Sequence, residues 1–593
     1  MDIVDKLPLT YSWEKWKNIG IKKRSGICIP LFSIRSLNSV GIGDFSDLKY
    51  LVDFCEKTKN TILQVLPLNY AGYDNCPYNA ISSFALDPVY ISLSDFISEK
   101  EINSLQSEFP AGKNNRCNYS ARVIKLDLLK EIFTKNFENI CSDNHFYLFV
   151  ENTRYWLDDF SIYKVLKKVH NDLPWYQWED KYVRKCSEDM NKIVKEYKKE
   201  ILFEKWVQYI CYKQLLRIKD YAKKKQIFLM GDLPVLPARD SADVWSKRDI
   251  FDLKLVAGAP PDMYSAYGQR WGMPVYDREK LRADGFRYIV EKLKYLGNFF
   301  DMIRVDHVLG LFRIWAIPVD DPEENHGLNG FFIPEDESTW KVHGKEILTA
   351  MIDSFNGLLC AEDLGVVPVV CPELLWELGI PGYEVQRWKK NYQQDCSFVS
   401  AQNYRQLAIS SLSTHDTSFW LDWYKNEAGT VDEELFLLRC RFNGIAPEEI
   451  IDKIFEKNVS GRLRWKDGIT ATQISRLTGR VSQDILQIYR ETFEEKEKVE
   501  LLLGIKRMDD ELTIVKKAIE FILSTSSIFS INLLTDLLCL DQKIASEIGG
   551  LRINKPGTTG HQNWSFAFSE SLEEILEMDV IGEIKDMVEK SGR

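Results

Sequence analysis

Four carboxylates of this chain, Asp232, Asp306, Glu362 and Asp416, each close a short apolar run with the character of a buried strand. The most informative run is Phe299-Phe300-Asp301-Met302-Ile303-Arg304-Val305-Asp306-His307-Val308. Arg304 and Asp306 lie two positions apart, and side chains two apart on a strand share a face. A guanidinium beside a carboxylate favours the ionised form, so this strand end carries a fixed anion available for attack. Taken alone, it reads equally well as an ion pair that plugs a barrel or ties down a loop. Four such ends together point to chemistry, and clustered carboxylates serve two kinds: metal-assisted reactions, and glycosyl transfer through an oxocarbenium-like transition state. Metal cages gather carboxylates with carbonyls and water. Here the company is Tyr, Trp, His, Arg and Asn, which suits a sugar site. No ligand spacing for zinc or calcium appears, so neither a metal nor a cofactor is expected.

These ends need a scaffold that delivers several strand termini to one place. Strand-like runs recur at 27–32, 61–68, 227–234, 299–308, 357–365, 383–388, 408–416 and 528–534, with helical patterns such as 44–57 and 281–297 between them. Eight strands with helical crossovers predict an α/β chain of the (β/α)8 barrel type, in which chemistry sits at the C-terminal strand ends. In 94–225 and 431–522 apolar residues recur at three- and four-residue spacing among many Lys and Glu, which predicts mainly helical insertions in one catalytic unit spanning 1–593. Loop 69–88, with Tyr70, Tyr73, Tyr78 and Phe84, and a second running from 234 to about 277 are too long to be mere connectors. Asp363 follows Glu362 directly and should face the other side of its strand, in a structural hydrogen bond. His307 and His415 would each pass for ordinary structural histidines were they not adjacent to Asp306 and Asp416.

Composition narrows the ligand. Hydrophobic residues make up 45% and charged residues 28% of the 593 residues, as in ordinary globular proteins. A net charge of −11 argues against nucleic acid, which would require a basic face. Twelve cysteines with no CxxC pair suit a reducing compartment. The opening residues lack the basic start and apolar run of a signal peptide, and no segment approaches the ~18 apolar residues of a membrane span, so a cytoplasmic location without membrane contact is expected. Aromatic residues in the turn-rich loops can serve as stacking platforms for a flat-faced ligand such as a sugar ring.

Seven motifs, taken in order, resemble the 4-α-glucanotransferase family, also called amylomaltase or disproportionating enzyme. They are Ile42-Gly43-Asp44, Gln64-Val65-Leu66-Pro67-Leu68, Gly231-Asp232-Leu233-Pro234, Gly268-Gln269-Arg270-Trp271-Gly272, Arg304-Val305-Asp306-His307, Ala361-Glu362-Asp363-Leu364-Gly365 and Thr414-His415-Asp416. Each is weak alone; their order from about 25 to 563 makes the resemblance specific. It implies a barrel related to the α-amylases and a retaining transfer of α-1,4-glucan segments to the 4-hydroxyl of glucose, maltose or a longer acceptor. By the same resemblance Asp306 is the nucleophile, Glu362 the general acid/base, and Asp416 the carboxylate that holds sugar hydroxyls. Arg304, His307 and His415 would line the subsite at the scissile bond, Tyr78 would stack on that sugar, and Asp232 and Trp271 would border it. A hydrolase of the same mechanism and a glucan-binding protein on an inactive barrel are the alternatives. The stretch 431–522 is longer than in the compact bacterial form.

Overall fold

The computed structural model describes residues 3–262, 265–457, 461–478, 483–558 and 560–593. Eight parallel strands form its centre: β1 (Arg24–Ile29), β2 (Ile62–Val65), β3 (Phe228–Leu233), β4 (Met302–Val305), β5 (Leu358–Ala361), β6 (Gly382–Val385), β7 (Ala408–Ser411) and β8 (Phe529–Leu533). Their hydrogen-bonded order is β6-β7-β8-β1-β2-β3-β4-β5. The ring closes between β5 and β6 through a hydrogen bond from Ala361 N to Pro381 O (2.7 Å). Asp363 reinforces that seam, accepting from Tyr383 N at 2.7 Å and from Arg405 Nη1 at 2.6 Å.

Nearly every strand residue is buried, as required of a parallel sheet covered on both faces. Packing at the strands is tight. A Cβ on Gly231 would lie 2.6 Å from the ring of Phe300, so the residue preceding Asp232 must be glycine for β3 to sit beside the chain entering β4.

Helices on the outside return the chain between strands: Leu48–Lys57 before β2, Lys198–Lys224 before β3, Arg287–Leu296 before β4, Trp340–Ser354 before β5, Val370–Leu378 before β6 and Glu511–Ser524 before β8. Two details differ from the sequence reading. Between β6 and β7 the chain crosses with only 3-10 turns, at Gln386–Trp388 and Ala401–Asn403. The helix read at 281–297 is two, Arg278–Ala283 and Arg287–Leu296, because Gly285 and Phe286 take left-handed conformations with φ of 62° and 57°.

Two excursions on the C-terminal side matter for the site. The stretch after β3, read as a loop, is instead a hairpin, Phe251–Ala259 with Gln269–Tyr276. It joins Ile314–Pro318 and Phe331–Ile333, from beyond β4, in a four-stranded antiparallel sheet. The stretch after β7 holds the helices Glu433–Phe442, Ala471–Leu477 and Gln483–Thr492 and also a small antiparallel sheet of Thr430–Val431, Leu463–Trp465 and Phe455–Lys457. Phe436, Phe455, Leu463, Trp465, Ile474 and Ile485 give it a core of its own. In Leu463-Arg464-Trp465 the apolar residues alternate inward about an exposed arginine, a period-2 signal too short to stand out among helices.

The 94–225 region contributes Lys198–Lys224, whose buried amides brace the long loop after β2. Gln208 exchanges hydrogen bonds with both backbone groups of Leu86 (2.9 Å each), and Gln214 does so with Ser92 (2.8 and 3.0 Å). That loop carries Tyr78.

Candidate active site

The register of the barrel sets neighbouring strand ends side by side, with Asp232 on β3 opposite Arg304 on β4. Arg304 Nη1 lies 2.9 and 2.7 Å from the two carboxylate oxygens of Asp232 and 3.0 Å from Asp306 Oδ1. The sequence pairs Arg304 with Asp306; the structure divides it between two anions and puts the tighter contact on Asp232. Burial alone would lower the Arg304 pKa, but Asp232, Tyr78 and Asp306 together hold it well above the usual value. Burial pushes the Asp232 carboxyl up, against the pull of Arg304. Removing one partner of such a buried pair typically costs about 3–5 kcal/mol, so the pair is as much a foundation as a functional group.

Exposure separates the roles open to the carboxylates. The Asp232 side chain is 0% exposed, Asp306 23% and Asp416 43%. Asp306 and Asp416 reach solvent. Asp232, expected to border a sugar, is instead sealed from solvent, its carboxylate taken up by Arg304 and by Tyr78, whose hydroxyl donates to Asp232 Oδ2 at 2.7 Å.

Glu362 follows β5, next to β4 in the ring, and is bound to the Asp306 segment by both backbone and side chain. Its amide donates to Val305 O (3.0 Å), and its carbonyl accepts from Val308 N (3.1 Å). Its Oε2 accepts from His307 N at 2.8 Å, and Oε1 from Leu364 N at 3.2 Å. His307 takes a positive φ of 42°, which ends the strand and turns its amide toward Glu362. Burial raises the Glu362 pKa; Arg304 and the His307 amide pull it down, Asp306 pushes it up, and the balance stands at about 8. The His307 ring meets Trp271 edge to face at 4.8 Å, and burial lowers its pKa to about 4, so it is a neutral imidazole at neutral pH. Trp271 comes from the hairpin and is steadied by Gln269 Oε1, which accepts from its Nε1 at 3.0 Å.

Across the ring, after β7, Asp416 Oδ1 accepts from Asn554 Nδ2 at 2.7 Å and Oδ2 lies 3.4 Å from His415 Nε2. His415 stacks on Tyr78 with centroids 5.1 Å apart and planes 14° from parallel, and Trp564 closes on both rings at 5.6 and 5.8 Å. Asn554 and Trp564 went unnoticed in the sequence. They lie far along the chain from the residues they touch, and neither sits at a strand end. Tyr383 on β6, with Arg304 over its ring at 5.8 Å, was likewise read only as part of a strand.

Among the described residues, no group of three or more His, Cys, Asp or Glu is arranged to hold an ion, and no helix is long and apolar enough to cross a membrane. A (β/α)8 barrel with an arginine-bridged carboxylate just after β4, a half-buried one of raised pKa after β5 and a third after β7, flanked by aromatic rings, defines a barrel enzyme equipped for glycosyl chemistry. The chain belongs to the 4-α-glucanotransferase family, whose profile matches residues 29–572. It is therefore an enzyme of that type.

A 4-α-glucanotransferase of Chlamydia pneumoniae is 32% identical over 567 residues, spanning 94% of each chain. Another from Synechocystis is 30% identical over 421 residues, 69% of this chain and 81% of its own. Among solved structures, the amylomaltase of Streptococcus agalactiae in complex with acarbose shares the fold with a TM-score of 0.71 and 21% identity, over 96% of this chain and all of that one. The amylomaltase of Corynebacterium glutamicum does so at 0.69 and 19%, over 95% and 75%.

Proposed function

We propose that this enzyme transfers a segment of an α-1,4-glucan to the 4-hydroxyl of an acceptor glucose or glucan by double displacement with retention. The observation that carries the mechanism is the coupling of Asp306 to Glu362: the amide next to Asp306 donates to the Glu362 carboxyl, whose pKa burial raises to about 8. Two carboxyls in such different surroundings divide the work. Asp306, bonded to Arg304, attacks the anomeric carbon and holds the donor segment as a glycosyl ester. Glu362, protonated at neutral pH, gives its proton to the departing oxygen and then withdraws one from the acceptor hydroxyl. Asp416, fixed by Asn554 and half exposed, takes sugar hydroxyls, with His415 and the neutral imidazole of His307 as further hydrogen-bonding partners. Tyr78, Arg304 and Trp271 complete the walls of the subsite, and Asp232 sets Arg304 and Tyr78 from below. Maltooligosaccharides and longer α-1,4-glucans are the partners, and no cofactor takes part in this scheme. A cytoplasmic setting agrees with twelve free cysteines, most of them buried.

Incubation with pure maltotriose tests the reading. Oligomers both longer and shorter than the substrate are expected; glucose and maltose alone would mean that water, not a glucan, takes the intermediate. The hairpin 251–276, which carries Trp271 to His307, favours transfer because it screens the intermediate from water.

A pH dependence follows from Glu362. Its carboxyl must be protonated to donate, and that form is lost as pH rises through about 8. For maltotriose, kcat/KM should therefore fall on the alkaline side with a midpoint near 8. With an α-glucosyl fluoride the departing group needs no proton, so the formation of the ester should lose that limb. An alkaline limb of equal midpoint for both donors in single-turnover ester formation would assign it to another group.

A further inference from the structure

The excursions that leave β3 and β7 meet each other, although those strands stand on opposite sides of the eight-strand ring. After β3 comes the hairpin that carries Trp271; after β7 comes the inserted subdomain with helix Glu433–Phe442. At the hairpin tip the backbone carbonyl of Asp262 accepts a hydrogen bond from Arg439 Nη2. The ring of Tyr267 meets Phe442 edge to face at 5.5 Å. Asp484 Oδ2 lies 3.8 Å from Arg439 Nη1.

Both ends of this contact are anchored. The Asp262 carboxylate accepts from Ser265 N at 2.7 Å, and Tyr267 O accepts from Gly327 N at 2.8 Å, tying this end of the hairpin to the chain between strands Ile314–Pro318 and Phe331–Ile333 of the four-stranded sheet. On the other side, Glu495 at the root of the subdomain accepts from Gly429 N at 2.9 Å and from Lys390 Nζ at 2.5 Å. Phe442 is 51% exposed while Phe436 and Cys440 on the same helix are buried. It reaches outward to the tip instead of inward to its own core.

Both excursions rise from the C-terminal strand ends, where Asp306, Glu362 and Asp416 also lie, and the hairpin whose tip meets Arg439 and Phe442 carries Trp271 to within 4.8 Å of the His307 ring. Resting on the reading above, that the cleft works on α-1,4-glucans, we propose that this bridge closes the cleft into a tunnel entered by a free glucan end. Arg439 and Phe442 are then positioning residues that select linear donors over ring-closed ones. A linear chain threads beneath the bridge without disturbing it, whereas a closed ring can reach Asp306 only if the Arg439 and Phe442 contacts break.

The probes are maltotriose and a large-ring cyclic α-1,4-glucan with glucose as acceptor. The wild type should disproportionate maltotriose and open the ring with a kcat/KM lower by about tenfold or more. The double variant Arg439→Ala/Phe442→Ala should gain about tenfold on the ring with its maltotriose rate unchanged, and Arg439→Lys, which keeps a donor for the Asp262 carbonyl, should remain selective. The maltotriose rate of each preparation reports that it is folded. Equal use of ring and linear donor by the wild type, or an unchanged ratio in the double variant, overturns the tunnel while leaving the glucanotransferase reading intact. A wild type that makes nothing from maltotriose overturns that reading, and the tunnel with it.

Discussion

Asp306→Asn should reduce turnover by on the order of 10⁴-fold or more on every donor, α-glucosyl fluoride included, because an amide cannot form the glycosyl ester on which both half-reactions depend. The substitution is nearly isosteric, and the structure indicates that the fold tolerates it. Arg304 keeps both of its contacts to Asp232, at 2.9 and 2.7 Å, so its charge stays compensated when the 3.0 Å partner is neutralised. The melting temperature should therefore stay close to that of the wild type. Arg304→Ala provides the contrast: it strands the fully buried Asp232 carboxylate, a loss of about 3–5 kcal/mol, and should lower stability as well as activity. Thermal unfolding and initial rates on maltotriose and the fluoride separate the two. If Asp306→Asn retained fluoride turnover within tenfold of the wild type, another group would have to be the nucleophile.

The strand ends are the part of this molecule most legible in the sequence, because each pairs two signals: an apolar run and the charge that stops it. Gly231-Asp232, Arg304-Val305-Asp306 and Ala361-Glu362 all emerge where the runs place them. Strand parity also separates neighbours. Asp363 points away from Glu362 and spends its carboxylate on Tyr383 N and Arg405. What stayed hidden depends on partners distant in sequence. The hairpin 251–276 reads as a loop because Gly258, Gly268 and Gly272 interrupt its alternation and its ladder shifts register twice, between Asp252 and Val256 and again before Gly258. No local spacing reveals that Asn554 fixes Asp416, that Trp564 closes on Tyr78 and His415, or that Arg304 leans on Asp232 more than on Asp306. Each of those contacts exists only once the ring has closed.

Glu362→Ala should fail in a different way from Asp306→Asn, and the difference identifies the two halves of the reaction. On maltotriose, loss of the proton donor should lower kcat by about 10²- to 10⁴-fold, the usual contribution of general acid catalysis. An α-glucosyl fluoride leaves without protonation, so ester formation on Asp306 should persist, while the following step stalls for lack of the base that activates the acceptor. The ester should accumulate. A small anion such as azide needs no base and fits the space vacated by the carboxyl, so it should restore turnover and give the α-glycosyl azide, as retention requires. Glu362 also anchors the His307 and Leu364 amides, and a displaced loop would slow the reaction for another reason. Glu362→Gln, which keeps accepting oxygen for one of them, distinguishes the cases: it should show the same donor pattern if proton transfer is what was lost, and near wild-type rates if only the anchor was. Mass spectrometry of the trapped protein gives the decisive measurement. The glycan is expected on the peptide that contains Asp306, and an adduct on any other peptide would show that the ester forms elsewhere.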